Sequence, residues 1–231
     1  MARFTDIHLA DLAFSPAVKG RQGGSNLVVT HAGKPVVFQT PHLALPYSIS
    51  KWTEPYLKWT MDLSFRDAPR KPAVASFLEW YTALDRRVKE EAVEHSEAWF
   101  RRPHTAEEVN GMYCSSLKQN RASLHPSLRL NLGSASGECA VPFFDQSGAR
   151  NTRNDLGNDL GKPPGRMGVD DVVRDAEVQV QLELVGVWFF NRQFGLKWKV
   201  VQAGVRPRTA EPVQSLEEPE ELSELSGCAF L

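Results

Sequence analysis

A chain of 231 residues with 42% apolar content can bury a substantial core and reads as one domain with appendages. No run approaches the ~18 consecutive apolar residues of a membrane span, and Met1–Asp6 lacks a basic stretch followed by an apolar one, so neither a membrane span nor a secretory signal is expected. The formal charge of −1 hides an asymmetry: after Arg208 the chain carries six glutamates and no Lys or Arg, and without those six the charge would be +5.

Cys114, Cys139 and Cys228 are scattered, with no Cys-x-x-Cys pair. That usage suits an intracellular, reducing compartment and argues against a disulfide framework or a zinc ribbon.

Residues 1–24 show little periodicity, end in Gly20-Arg21-Gln22-Gly23-Gly24 and are read as a flexible N-terminal segment. Leu27-Val28-Val29-Thr30 and Val36-Val37-Phe38-Gln39 flank His31–Pro35 and predict a hairpin. A Pro-rich connection carrying Trp52 then leads to the clearest strand, Tyr56–Phe65. There Leu57, Trp59, Met61, Leu63 and Phe65 alternate with Tyr56, Lys58, Thr60, Asp62 and Ser64.

From Pro72 the period changes. Val74, Phe77, Leu78, Tyr81, Leu84, Val88 and Ala92 recur at helical spacing, which predicts one long amphipathic helix from about Pro72 to Phe100. Tyr113–Lys118, Ser127–Leu132 and Glu138–Phe144 read as short strands, and residues 145–168 as a long loop with Arg150, Arg153, Lys162 and Arg166. Val178, Val180, Leu182 and Leu184 alternate with Glu177, Gln179, Gln181 and Glu183 in a strand that runs through Trp188. After a turn at Asn191–Gly195, the last strand sets Leu196, Trp198 and Val200 opposite Lys197 and Lys199.

One long helix among seven or eight strands, without regular helix-after-strand alternation, predicts a mainly β fold: an OB-like antiparallel barrel with one long inserted α-helix. Residues 25–208 form the folded domain, and 209–231 an acidic C-terminal tail.

Motifs for catalysis are absent: no His-Glu-x-x-His, phosphate loop, Gly-x-Ser-x-Gly elbow or dinucleotide fingerprint occurs. The six histidines are dispersed and the strand carboxylates Asp62, Glu177 and Glu183 make a poor metal set. The reading is a non-enzyme with no catalytic residue, metal or cofactor.

What remains is basic and aromatic. Five aromatics fall within Trp188–Trp198, interleaved with Arg192 and Lys197 and followed by Lys199. Cations that track phosphates beside rings that stack on bases are what sequence-independent binding of single-stranded nucleic acid requires. Lys58, Arg129, Arg192, Lys197 and Lys199 are the candidate phosphate contacts; Tyr56, Phe144, Phe190 and Phe194 are candidates for base stacking. Arg150, Arg153, Lys162 and Arg166 are candidate loop contacts. Trp59, Trp198 and Phe77 follow the inward periodicity, whereas Phe38 and Trp52 are open to either face.

The order of "VVFQTPHLALPYSIS", "YLKWTMDLSF", the long helix, "LHPSLRLNL", "VPFFDQSG" and "VGVWFFNRQFGLKWKVVQ", closed by "EPVQSLEEPEELSELSGCAFL", resembles a known family. It is similar to the single-stranded DNA-binding proteins of phages with small autonomous replisomes, and more so to their relatives in large nucleocytoplasmic DNA viruses and some protists. The resemblance covers about residues 27–205 and the character of the tail. It implies an OB barrel with an inserted helix and sequence-independent ssDNA binding in replication, recombination or repair. It also implies a tail (Glu217, Glu218, Glu220, Glu221, Phe230) that competes with DNA and recruits polymerase or helicase. A nuclear, viral or organellar replication site and a homodimer are compatible with it, and a membrane role is not expected. The tail departs from the phage pattern by lacking Asp, being diluted by Ser and Leu, and passing the aromatic by one Leu. A different class is the alternative: a β-barrel interaction module prenylated at Cys228, since Cys228-Ala229-Phe230-Leu231 matches C-a-a-X. Its acidic flank lacks the polybasic partner that a single lipid chain needs.

Overall fold

Residues 2–20, 24–54, 56–119, 125–146 and 165–206 are described by a computed structural model. The chain begins with short strands β1 (Leu12–Phe14) and β2 (Val18–Lys19), then β3 (Ser25–His31) and β4 (Lys34–Gln39). Ala32 and Gly33 join the last two with φ of 48° and 73°, the primed two-residue turn whose twist matches that of paired strands. β5 (Leu43–Ala44), the edge strand β6 (Ser50–Trp52) and β7 (Lys58–Ser64) follow. Three helices come next, α1 (Pro72–Glu94), α2 (Ser96–Phe100) and α3 (Ala106–Met112). The remaining strands are β8 (Leu117–Lys118), β9 (Ser127–Leu132), β10 (Ser134–Ala135), β11 (Glu138–Cys139), β12 (Phe143–Asp145), β13 (Arg166–Met167), β14 (Glu177–Phe190) and β15 (Gln193–Arg206).

The architecture is mainly β, as the patterning predicts. Among the described residues one mostly antiparallel sheet runs β1-β3-β4-β14-β5-β7-β9-β8, and β15 pairs with both β14 and β12. The sheet curls until β9 lies beside β15, giving an OB-like half-barrel against which α1 packs through Phe77 and Tyr81. Leu128, Leu130 and Leu132 of β9 stand opposite Leu63, Met61 and Trp59 of β7, all facing the core.

Pro72 sits in the first turn of α1, where its missing N–H costs no bond. Val74, Phe77, Tyr81, Leu84, Val88 and Ala92 form its buried face. Phe77 packs between Phe4 at 5.1 Å and Phe65 at 5.9 Å, and the Trp198 indole donates a hydrogen bond of 2.9 Å to the Tyr81 hydroxyl. Asp85 is buried on the same helix and accepts hydrogen bonds from the hydroxyls of Tyr113 and Ser115, which fasten α1 to the segment leading into β8. Burial pushes the Asp85 carboxyl above its ordinary range, although those two donors favour the ionised form.

The structure departs from the sequence reading at several points. Of the expected strand Tyr113–Lys118 only Leu117–Lys118 is strand, and Glu138–Phe144 splits into β11 and β12. The last turn is only Asn191–Arg192, with β15 already starting at Gln193. The helix breaks at His95 (φ −104°, ψ 23°), so that α2 turns Trp99 and Phe100 onto Phe189 at 5.6 Å each. Residues 106–112 form a helix: the Thr105 hydroxyl accepts from the Glu108 N–H, and the Glu108 carboxylate accepts from the Thr105 N–H. Over the expected flexible stretch 1–24, residues 2–20 are instead tied down. Phe4, Ile7 and Leu12 are buried, β1 pairs with β3, and the Ile7 carbonyl accepts from the Trp80 indole. Anchors so few and unevenly spaced leave no period to read.

The β14–β15 hairpin carries two compensating bulges. Val201 is the extra residue of β15 and Val185 that of β14. Before the β14 bulge Val178, Val180, Leu182 and Leu184 face the core; after it Val187 and Phe189 do. A side chain at Gly186 would collide with the carbonyl oxygen of Leu27, 1.8 Å from an added β-carbon, so the crossing of β3 over the bulge requires glycine.

Candidate nucleic-acid interface

Beyond the bulge the hairpin presents a different set of side chains to the outside. Asn191 and Arg192 close it with φ of 48° and 60°, again a primed turn, here built from two non-glycine residues. Phe189 and Phe194 stack inward, ring centroids 6.0 Å apart. Phe190, opposite Gln193, is directed outward and remains 54% exposed at the crest. Trp188, opposite Gly195, is half-buried on the same outer side, and next to it across β3 is Asn26. A hollow of about 380 Å³ opens there, lined by Gly20, Gly24, Asn26, Trp188 and Phe190 among others. It depends on Gly24, where an added β-carbon would stand 2.8 Å from the Phe189 carbonyl oxygen.

Arg192 and Lys197 are exposed on this end of the hairpin, and neither has an ion-pair partner among the described residues. Lys199 is also exposed, but its ammonium donates to Glu183 at 3.1 Å. The crest thus combines two outward rings with two free cations and a third shared with a carboxylate.

A second aromatic group lies on β6 and its connection to β7. Trp52 is 56% exposed and Tyr56 67%. The Trp52 indole donates to the Thr60 hydroxyl at 3.2 Å, which holds the ring by its edge. Lys58 is directly across from Trp52, and the Lys51 ammonium lies 5.0 Å from the Trp59 ring centre. Farther along, Phe144 is half-buried and pairs with Arg166 across β12–β13.

The predicted residues therefore separate. Phe190, Arg192, Lys197 and Lys199 share the hairpin; Tyr56 and Lys58 lie together; Phe144 and Arg166 are neighbours. Phe194 does not belong with them: it is 0% exposed, and its expected base-stacking role is corrected to one in the core. Phe38 is equally buried. Arg129 is exposed but donates twice to Asp62, at 2.8 and 2.7 Å, and this hydrogen bonding raises its already high pKa, so its charge is matched within the sheet. Arg150, Arg153, Lys162, Cys228 and the tail residues Glu217, Glu218, Glu220, Glu221 and Phe230 lie outside the described residues.

Trp188 was missed for a definite reason. Extending the even-numbered inward phase of β14 sends it to the core, and the bulge reverses that phase. Only Gly186 within the apolar run signals it.

Among the described residues the carboxylates on β7 and β14 are each matched by a cation. Asp62 is paired with Arg129, Glu177 with Lys71, and Glu183 with Lys199. Glu91, Glu94 and His95 come within 4.8 Å of one another at the end of α1, with Glu91 already paired to Arg87 and His95. No helix among the described residues is long and apolar enough to cross a membrane.

Residues 162–221 match the sequence model of a family of unknown function, DUF5871. No curated protein matches the chain. Among solved structures the chain is similar to the crystal structure of gp2.5, a single-stranded DNA-binding protein encoded by bacteriophage T7. That similarity has 11% identity and a TM-score of 0.46 over 79% of this chain and 97% of the phage chain. At that level the likeness assigns no residue and no activity.

Proposed function

We propose that the protein binds single-stranded DNA without regard to sequence, as a non-catalytic coat acting in replication, recombination or repair. The observation that carries this reading is the hairpin crest: Phe190 exposed, Trp188 beside it, and Arg192 and Lys197 without carboxylate partners among the described residues. A ring exposed to a base contributes about 1–3 kcal/mol per stacked base, and every base has a face to stack. Each cation that meets a phosphate releases counterions, which makes affinity fall with salt. Trp52, Tyr56 and Lys58 offer a second contact on β6 and its connection to β7.

The six glutamates beyond Arg208 compete with DNA for these cations at low salt and offer a recruiting segment to polymerase or helicase. Deleting residues 211–231 then tightens binding at low salt; unchanged affinity would refute the competition.

The test is titration of the purified protein with oligo-dT, following tryptophan fluorescence at two salt concentrations. Saturable quenching that weakens with salt is expected. No quenching at low salt, from intact and tail-deleted protein alike, would defeat the reading and leave the aromatic crest to a protein partner.

A further inference from the structure

Phe190 borders a second hollow, of about 440 Å³, between the hairpin tip and the α2–α3 connection. Trp99, Phe100 and Met112 line it together with Arg102, His104 and Arg192, and no carboxylate does. It combines apolar and aromatic surface with two guanidinium groups and is large enough for a nucleobase with its sugar.

Arg102 is held in place. Its Nε donates to His104 Nε2 at 3.1 Å, and His104 Nδ1 lies 3.2 Å from the Glu108 carboxylate. An Nε2 that accepts leaves the imidazole proton on Nδ1, pointed at Glu108. The same carboxylate closes the cap of α3 through the Thr105 N–H at 2.9 Å. The His104 side chain is 4% exposed and packs edge-on against Phe100 at 5.2 Å. Arg102 is thus oriented by a chain that ends on a helix cap. Its guanidinium, like that of Arg192, has no ion-pair partner among the described residues.

We propose that this hollow receives one nucleobase of single-stranded DNA, turned out of the stack beyond Phe190, with the adjoining phosphates on Arg102 and Arg192. The inference rests on the ssDNA-binding reading and adds to it a discrete nucleotide site. Unpaired bases are the part of a nucleic acid that can be splayed onto side-chain rings, and oriented guanidinium groups suit phosphate oxygens.

The test uses the full-length protein and a dT oligomer carrying a single 2-aminopurine, with affinity measured by anisotropy of an end-labelled oligomer over a range of salt. Wild type is expected to change the 2-aminopurine emission at saturation. Arg102→Ala should weaken binding about fivefold to tenfold and lower the slope of log affinity against log salt by about 0.7, one single-strand phosphate contact. Arg102→Lys keeps the charge but not the planar guanidinium that its Nε orients on His104; it should retain most of that slope and lose most of the 2-aminopurine change. Met112→Trp fills the hollow and should abolish that change while the crest still binds. Arg102 is exposed, so its variants keep the proposal testable even if Met112→Trp disturbs folding. Wild-type affinity, slope and emission in Arg102→Ala, alongside weakened binding by Phe190→Ala, would overturn the nucleotide site and leave the crest intact. Weaker binding by Arg102→Ala with an unaltered 2-aminopurine change would also overturn it, by reducing Arg102 to a surface phosphate contact. A wild-type protein that does not bind the oligomer overturns both the site and the reading beneath it.

Discussion

Trp188 and Gly195 face each other across the β14–β15 hairpin, and the indole occupies the space that a side chain at 195 would need. A β-carbon there would stand 3.2 Å from ring atoms Cε2 and Cζ2, and 2.5 Å from the carbonyl oxygen of Cys114. The ring can yield; the backbone carbonyl, whose residue donates its N–H to Phe194, cannot without breaking that bond. Gly195→Ala is therefore expected to cost about 1–3 kcal/mol in urea unfolding and to reduce the oligo-dT quench by displacing Trp188. A variant as stable as wild type would show that the strand relaxes around the new methyl group.

Two phenylalanines four residues apart should behave oppositely. Phe190→Ala removes an exposed ring, so stability should stay within about 0.5 kcal/mol while oligo-dT affinity falls by the equivalent of about 1–3 kcal/mol. Phe194→Ala empties a buried site between Phe100, Tyr113 and Phe189 and should cost about 3–5 kcal/mol of stability. Equal loss of binding by both variants, with both fully folded, would contradict the assignment of faces.

Salt dependence separates free cations from matched ones. Lys197→Ala should lower the slope of log affinity against log salt by about 0.7. Arg129→Ala should leave both affinity and slope unchanged, because its guanidinium is committed to Asp62. If Arg129→Ala lowers the slope, the pair opens on binding and the strand crosses β9 as well.

Asp85 gives the stability a pH dependence of definite sign. Burial raises its carboxyl above the ordinary 3.8, so over that interval the folded protein holds a proton that the unfolded chain has released. Its contribution is therefore full at low pH and is lost as pH rises through the interval. Urea midpoints of wild type and Asp85→Asn, compared from about pH 4 to 7, should show wild type losing more stability on the way up. Parallel curves would mean that Tyr113 and Ser115 offset the burial.

Much of the fold was legible because it depends on local period. The alternation of Leu57 to Phe65, the helical spacing from Val74 to Ala92 and the opposition of Leu196, Trp198 and Val200 to Lys197 and Lys199 each record which face of an element leaves water. Helix α3 was not read: Thr105-x-x-Glu108 is a capping signature, but the apolar content after it is too short to show a helical period.

The candidate site was legible as a composition and not as a geometry. Which rings stand outside depends on a bulge at Val185–Gly186, set by how closely β3 crosses β14; one inserted residue turns Trp188 outward and Phe189 inward. Which cations are free depends on register, because Arg129 meets Asp62 and Lys199 meets Glu183 only through cross-strand pairing. The concave site at Arg102 needs the α2–α3 connection and the hairpin tip, which are far apart along the chain. The sequence by itself determined the main strands, the one long helix and the charge plan, since each follows from neighbouring residues competing for water. Tertiary structure decided which aromatic faces are open and which charges are matched, because both are properties of residues that become neighbours only when the sheet curls.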